Sequence, residues 1–135
     1  MNIVLDTNIL LTCISRKSHI HWIFENLLNG TYNLCVTTDV LLEYAEVIER
    51  HMGIEVAEMA METILNLPNL IRIHHYYRWQ LIPNDADDNK FVDCAIAGDA
   101  QYIVTHDKHF KSLKEIDIIK VEVITAEEFR EILES

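Results

Sequence analysis

The 135 residues predict an α/β three-layer sandwich, a mainly parallel sheet of five strands covered on both faces by helices. Three observations lead there. Short apolar runs of strand length alternate with helix-forming segments from one end of the chain to the other. Half of the residues are hydrophobic while only three are Gly and two Pro, which suits packed elements rather than linkers. No internal repeat or low-complexity segment appears, and the length fits one domain spanning residues 1–135.

The elements follow in order. Residues 2–6 read as an apolar strand, Ile9 to Ile14 as a short helical segment, and residues 19–29 as a second helix stopped by Asn29-Gly30. Tyr32 to Thr37 reads as the second strand. Thr38 or Asp39 can cap the helix that runs to about His51, and Gly53 separates it from a helix over residues 54–66. Leu70 to His74 alternates apolar and polar, as an edge strand does. A polar loop over residues 81–87 leads into a helix over 88–98 ended by Gly98. Strand 101–105, a short helical turn, strand 120–124 and a terminal helix over 126–134 complete the chain. Thr125 and Glu128 have the spacing of a capping box.

Bulk properties exclude several classes. No apolar stretch approaches the roughly 20 residues needed to span a bilayer. The chain opens directly on strand-like Asn2-Ile3-Val4-Leu5, with no secretory leader pattern, so a cytoplasmic location is expected. Cys13, Cys35 and Cys94 are odd in number, widely spaced and set among apolar neighbours, as buried free thiols in a reducing compartment would be. A net charge of −11 argues on its face against a nucleic-acid binder, whose footprint is usually basic. Against this, Arg16 and Lys17 follow the first acidic motif, and Lys108, Lys111 and Lys114 follow the last. These are equally ordinary solvated lysines and arginines, so charge alone does not decide.

Four acids stand where they can converge: Asp6, Glu43, Asp88 and Asp107. Asp6 closes the first strand, where a charge is costly to bury unless used or paired, although Asp, Thr and Asn also cap helices. Thr7 and Asn8 read as hydrogen-bonding supports that orient Asp6 or close the turn. Glu43 has Val40 and Val47 as helical neighbours and borders the buried face, whereas Glu46 is solvated. Asp88 shares a stripe with Phe91, Val92 and Ala95. Asp85 or Asp87 suits the helix N-terminus and its dipole, and Asp93 is a candidate for the rim. Asp107 follows a fully apolar strand but is also a natural turn residue. His106 beside it is a possible ligand or proton shuttle, though such a His is more often neither.

In open parallel sheets ligands bind beyond the carboxyl ends of the strands, where strand order reverses. If the first and fourth strands are neighbours, Asp6 and Asp107 project into one crevice. Carboxylates gathered there repel one another unless a cation joins them, and an all-oxygen set suits Mg²⁺ or Mn²⁺. Metal-assisted chemistry is therefore the leading reading. A receiver-like or phosphatase domain is a rival, but Asp39 and Lys108 fit its phospho-acceptor and lysine poorly. A non-catalytic binding protein of the same fold is another, disfavoured by the intact acidic set.

Residues 3–10 (Ile-Val-Leu-Asp-Thr-Asn-Ile-Leu), 41–44 (Leu-Leu-Glu-Tyr), 85–95, 102–107 (Tyr-Ile-Val-Thr-His-Asp) and 123–129 together resemble the PIN-domain ribonucleases, in particular the VapC-like toxin branch of toxin–antitoxin pairs. The resemblance implies a five-stranded parallel sheet with the first and fourth strands adjacent. It implies that Asp6, Glu43, Asp88 and Asp107 hold one or two Mg²⁺ or Mn²⁺ ions and hydrolyse RNA. Asp6, Asp88 and Asp107 would bind metal directly, with Glu43 on a second metal or on water. It further implies a cognate antitoxin over the crevice and a homodimer, for which the helices carrying Met52, Met59 and Met61 offer a face that equally suits the core. His106 stands where the family commonly has a small residue, and Gln101 where it commonly has an acid.

Overall fold

The computed structural model describes residues 1–82, 88–108, 110 and 120–135, together with the backbone of 86 and 87. Its elements are β1 (Asn2–Leu5), α1 (Thr7–Ile14), α2 (His21–Leu28), β2 (Asn33–Thr37), α3 (Thr38–Met52), α4 (Ile54–Leu65), β3 (Leu70–Ile73), α5 (Ala86–Ala97), β4 (Tyr102–Val104), β5 (Glu122–Ile124) and α6 (Ala126–Glu134). The expected helical turn between the last two strands lies outside the described residues, as do Asp85, His109, Lys111, Lys114 and the side chain of Asp87.

The five strands form one parallel sheet in the order β3-β2-β1-β4-β5. From β1 the chain steps outward to β2 and β3, then crosses back to place β4 on the other side of β1. Strand order therefore reverses between β1 and β4, whose register pairs Leu5 with Val104. The central strand is apolar because both of its faces are covered: Ile3, Val4 and Leu5 are fully buried. β3 is an edge strand with no fully buried residue, in keeping with its alternating sequence.

Helix α5 comes close to the sheet at its C-terminal end. A Cβ on Gly98 would stand 2.9 Å from Cys35 Sγ and from Ile73 Cδ1, so this position admits only glycine without displacement. The three cysteines are free and buried. Burial pushes the Cys13 thiol up to about 12 and the Cys35 thiol up to about 11, so neither is a ready nucleophile.

Local chemistry sets the helix ends. The Thr125–Glu128 capping box is present in full at α6. The cap of α3 is Thr37, not Thr38 or Asp39: Thr37 Oγ1 accepts from the Val40 N–H at 3.2 Å. Thr37 can do this because it is the last β2 residue and already extended, and Asp39 is thereby released for another role. On the α3–α4 pair, Met52 and Met61 pack against the core while Met59 is 70% exposed. Among the described residues no helix is long and apolar enough to cross a membrane.

Candidate functional site

A cleft of about 1080 Å³ opens at the carboxyl ends of β1 and β4, and Asp6, Glu43, Asp88 and Asp107 all line it. Four segments far apart in sequence supply them, and each has an identifiable support.

Asp6 occupies the N-cap position of α1 yet makes no capping hydrogen bond. Its backbone N–H continues the sheet to Val104 O at 3.0 Å, and its Oδ2 accepts from Thr105 Oγ1 at 2.7 Å. The carboxylate is nearly buried, at 7% exposure. Burial pushes its pKa above the ordinary 3.8; hydrogen bonds from Thr105 and the Thr7 backbone oppose this, and the charges of Asp107 and Glu43 add to the rise. The neighbouring carboxylates thus make ionised Asp6 harder to keep.

Thr105 also accepts from the Asp107 backbone N–H at 2.9 Å, so one buried hydroxyl fixes both Asp6 and the turn that carries Asp107. Thr105 is not among the residues that the sequence singles out. The signal was a threonine two residues before the acid, at a strand end whose partner strand ends in Asp6.

Glu43 lies one residue before fully buried Tyr44, whose hydroxyl donates to Leu5 O and ties α3 to β1. Its carboxylate is held on both sides, by Thr7 Oγ1 and by Lys90 Nζ at 2.7 Å. Thr7, read as orienting Asp6 or closing the turn, supports Asp6 through its backbone and Glu43 through its hydroxyl, which the first turn of α1 points toward α3. Lys90 was not foreseen. It stands two positions after Asp88 on a different face of α5, and reaches the cleft through its long side chain.

Asp88 is 7% exposed and shares its helix face with buried Phe91, Val92 and Ala95, as its registry requires. Asn89 grips the chain before α5 with both ends of its amide, accepting from Ile82 N at 2.8 Å and donating to Ile82 O at 2.9 Å. Asp93 is not a rim residue. It is 4% exposed, lines the cleft and accepts the Trp79 N–H at 2.9 Å. Burial raises its pKa above 3.8, against that hydrogen bond and the charge of Arg78.

Asp39, freed from capping, accepts from the Tyr76 hydroxyl and pairs with Arg78 at 3.5 Å. Glu46 is solvent-exposed as expected, at the cleft edge, paired with Arg50 at 2.9 Å. His106 faces away: its Nε2 lies 3.2 Å from Glu127 Oε2 and 3.3 Å from the Ala126 N–H, at the start of α6. Among the described residues, the cations on the cleft are Arg50, Arg78 and Lys90 rather than Arg16, Lys17 or Lys108.

Among the described residues, seven carboxylates and three cationic side chains therefore line one cavity. All of the acids are hard oxygen donors, and the surplus negative charge suits a divalent cation. Among the described residues no three of them are arranged to hold a metal as placed, and Lys90 already neutralises part of Glu43. The donor chemistry fits the ion; the side-chain positions would need to close on it.

The comparisons agree with this architecture. The chain resembles VapBC2 of Rickettsia felis, solved bound to a DNA fragment from its promoter, at 18% identity and a TM-score of 0.61, over 93% of this chain and 98% of that one. VapBC-1 of nontypeable Haemophilus influenzae is similar at 17% identity and a TM-score of 0.60, over 94% and 99%. Mycobacterium tuberculosis VapC20, a toxin that cleaves the sarcin–ricin loop, is similar at 14% identity and a TM-score of 0.60, over 88% and 98%. At these identities the likeness is one of fold. No curated protein sequence matches the chain. The PIN domain model matches residues 2–109, most of the chain and all four acids: the protein belongs to the PIN domain family.

Proposed function

We propose that this protein is a metal-dependent endoribonuclease, the toxin component of a toxin–antitoxin pair. The observation that carries the reading is the convergence of Asp6, Glu43, Asp88 and Asp107 on one cleft at the sheet's switch point. Membership of the PIN domain family supports a nuclease role, and the likeness to VapBC complexes supports an antitoxin partner.

Asp6, Asp88 and Asp107 would hold Mg²⁺ or Mn²⁺, with Glu43 on a second ion or on water. When bound, such an ion activates water and stabilises charge developing on a phosphate. The chain's own residues do the rest. Thr105 holds Asp6 in one rotamer and fixes the turn of Asp107. Thr7 and Lys90 clamp Glu43, so its carboxylate stays aimed at the cleft instead of sweeping through solvent. Arg78, on the cleft wall, is placed to meet a substrate phosphate. No cysteine, serine or histidine nucleophile is needed. A homodimer belongs to the same reading, with exposed Met59 on the free face of α4.

The test is cleavage of labelled RNA with added Mg²⁺ or Mn²⁺, comparing the native protein with D6N and D88N. Cleavage by the native protein alone is expected; equal cleavage by all three sinks the assignment.

A further inference from the structure

The carboxylate of Glu43 is engaged at both oxygens by donors of its own chain: Thr7 Oγ1 at Oε2, and Lys90 Nζ at Oε1 at 2.7 Å. The ion pair is sheltered. Its two side chains are 21% and 18% exposed, against 61% and 71% for the Arg50–Glu46 pair about one turn along α3. An exposed pair holds its partners weakly, whereas a sheltered one is costly to break because each charge has already given up water.

Both partners stand on fixed backbone. Glu43 precedes fully buried Tyr44, which is bonded to Leu5 O. Lys90 precedes buried Phe91 and Val92 and follows Asn89, whose amide grips Ile82 from both ends. Packing of α3 and α5 therefore carries the ammonium to Glu43. Asp6 and Asp107 form a separate group, joined through Thr105 at the ends of β1 and β4. A divalent ion that also took Glu43 would meet the ammonium across one carboxylate, where like charges repel.

We infer that Lys90 takes the place of a second divalent ion: the cleft binds a single Mg²⁺ or Mn²⁺ through Asp6, Asp88 and Asp107, and the ammonium held on Glu43 supplies the other positive charge. The inference rests on the proposed metal-dependent reading and narrows it, since that reading leaves Glu43 on a second ion or on water. Where two ions serve phosphodiester hydrolysis, they stabilise the attacking and the leaving oxygen between them. A lysine brings one such charge without needing ligands, and its ammonium has three donors, of which Glu43 takes one. Lys90 gives up no proton in this role; it acts as a charge and a hydrogen-bond donor.

Counting Mn²⁺ ions bound per chain, from the spin-resonance signal of the ion left free, tests this without any turnover. One ion is expected on the native protein. K90M keeps the aliphatic stem and loses the charge, so it should bind two. K90M/E43Q should return to one, and K90R should stay at one. Thermal melting in chelator shows which variants are folded, and K90Q replaces K90M if K90M does not melt cooperatively. Two ions on the native protein, or one on the folded charge-free variant, overturns the role of Lys90. The two readings fail separately. One Mn²⁺ on both native protein and K90M, lost in D6N, refutes Lys90 as a cation substitute and leaves the metal reading standing. A native protein that binds no Mn²⁺ and cleaves no RNA refutes the metal reading itself, and the place of Lys90 in it.

Discussion

Replacing Thr105 by valine removes one hydroxyl and almost no volume. The residue is 3% exposed and bridges two acids, donating to Asp6 Oδ2 at 2.7 Å and accepting from the Asp107 N–H at 2.9 Å. The first bond serves a carboxylate in a site from which water is largely excluded, and a hydrogen bond to a charged group contributes about 1.5–3 kcal/mol. The second leaves an amide in a half-exposed turn, where water replaces the lost acceptor at a cost of about 1 kcal/mol or less. T105V should therefore lose about 2–4 kcal/mol, or roughly 3–5 °C of melting temperature per kcal/mol in a chain of this size. T105S keeps the hydroxyl and should recover most of that loss. The assay is urea unfolding of the native protein, T105V and T105S, with RNA cleavage measured alongside. T105V as stable and as active as the native protein would show that the bridge holds nothing, and the account of Asp6 would fail with it.

Three more outcomes follow from the same structure. Mg²⁺ or Mn²⁺ should raise the melting temperature, by about 2.7 kcal/mol of stability at a concentration about 100-fold above its dissociation constant, and D6N should blunt the rise; no shift at saturating metal counts against a bound cation. Asp93 has its pKa raised above 3.8 by burial, so the native fold favours its protonated form, and the stability this gives at low pH is lost as pH rises through the raised value. D93N is neutral throughout and keeps an acceptor for the Trp79 N–H; its urea midpoint should overtake that of the native protein as pH rises through this window, and a constant difference across pH would contradict the assignment. G98A forces a methyl against Cys35 and Ile73 and should cost about 1–3 kcal/mol by thermal melting; a variant as stable as the native protein would mean that α5 stands further from the sheet.

The order of elements was legible because each strand is short, apolar and bounded by turn residues, and the acids were legible because they interrupt apolar patterns. Asp88 stood out from its neighbours by sharing a helical face with Phe91 and Ala95. What could not be read were partners across the fold. Thr105 lies 99 residues from Asp6, Lys90 lies 47 from Glu43, and Tyr76 lies 37 from Asp39, so no local pattern announces them. Asp39 was misread for a related reason. Asp and Thr are both good caps, and only the extended backbone at Thr37 decides which one takes the helix N–H. Asp93 looked polar-facing because its helical neighbours Asn89 and Lys90 are polar. Yet that face lies under the segment of residues 76–80 and is covered by it.

The acidity of the chain, at first an argument against RNA, takes a different form once the cleft is known. A net charge of −11 would repel a polyanion if it were spread over the contact surface. The cleft instead sorts its charge: Asp6, Asp88 and Asp93 are buried, whereas at the exposed edge Glu46 and Asp39 are paired with the cationic groups of Arg50 and Arg78. Depth matters because charges in a low-dielectric floor act strongly on an ion among them, while exposed charges are screened within about 8 Å at physiological salt. On the proposed reading, the buried carboxylates select the cation and the cation supplies the positive charge that the phosphate meets. An acidic protein can hold RNA on such terms, because the charge that meets the phosphate is then the cation's.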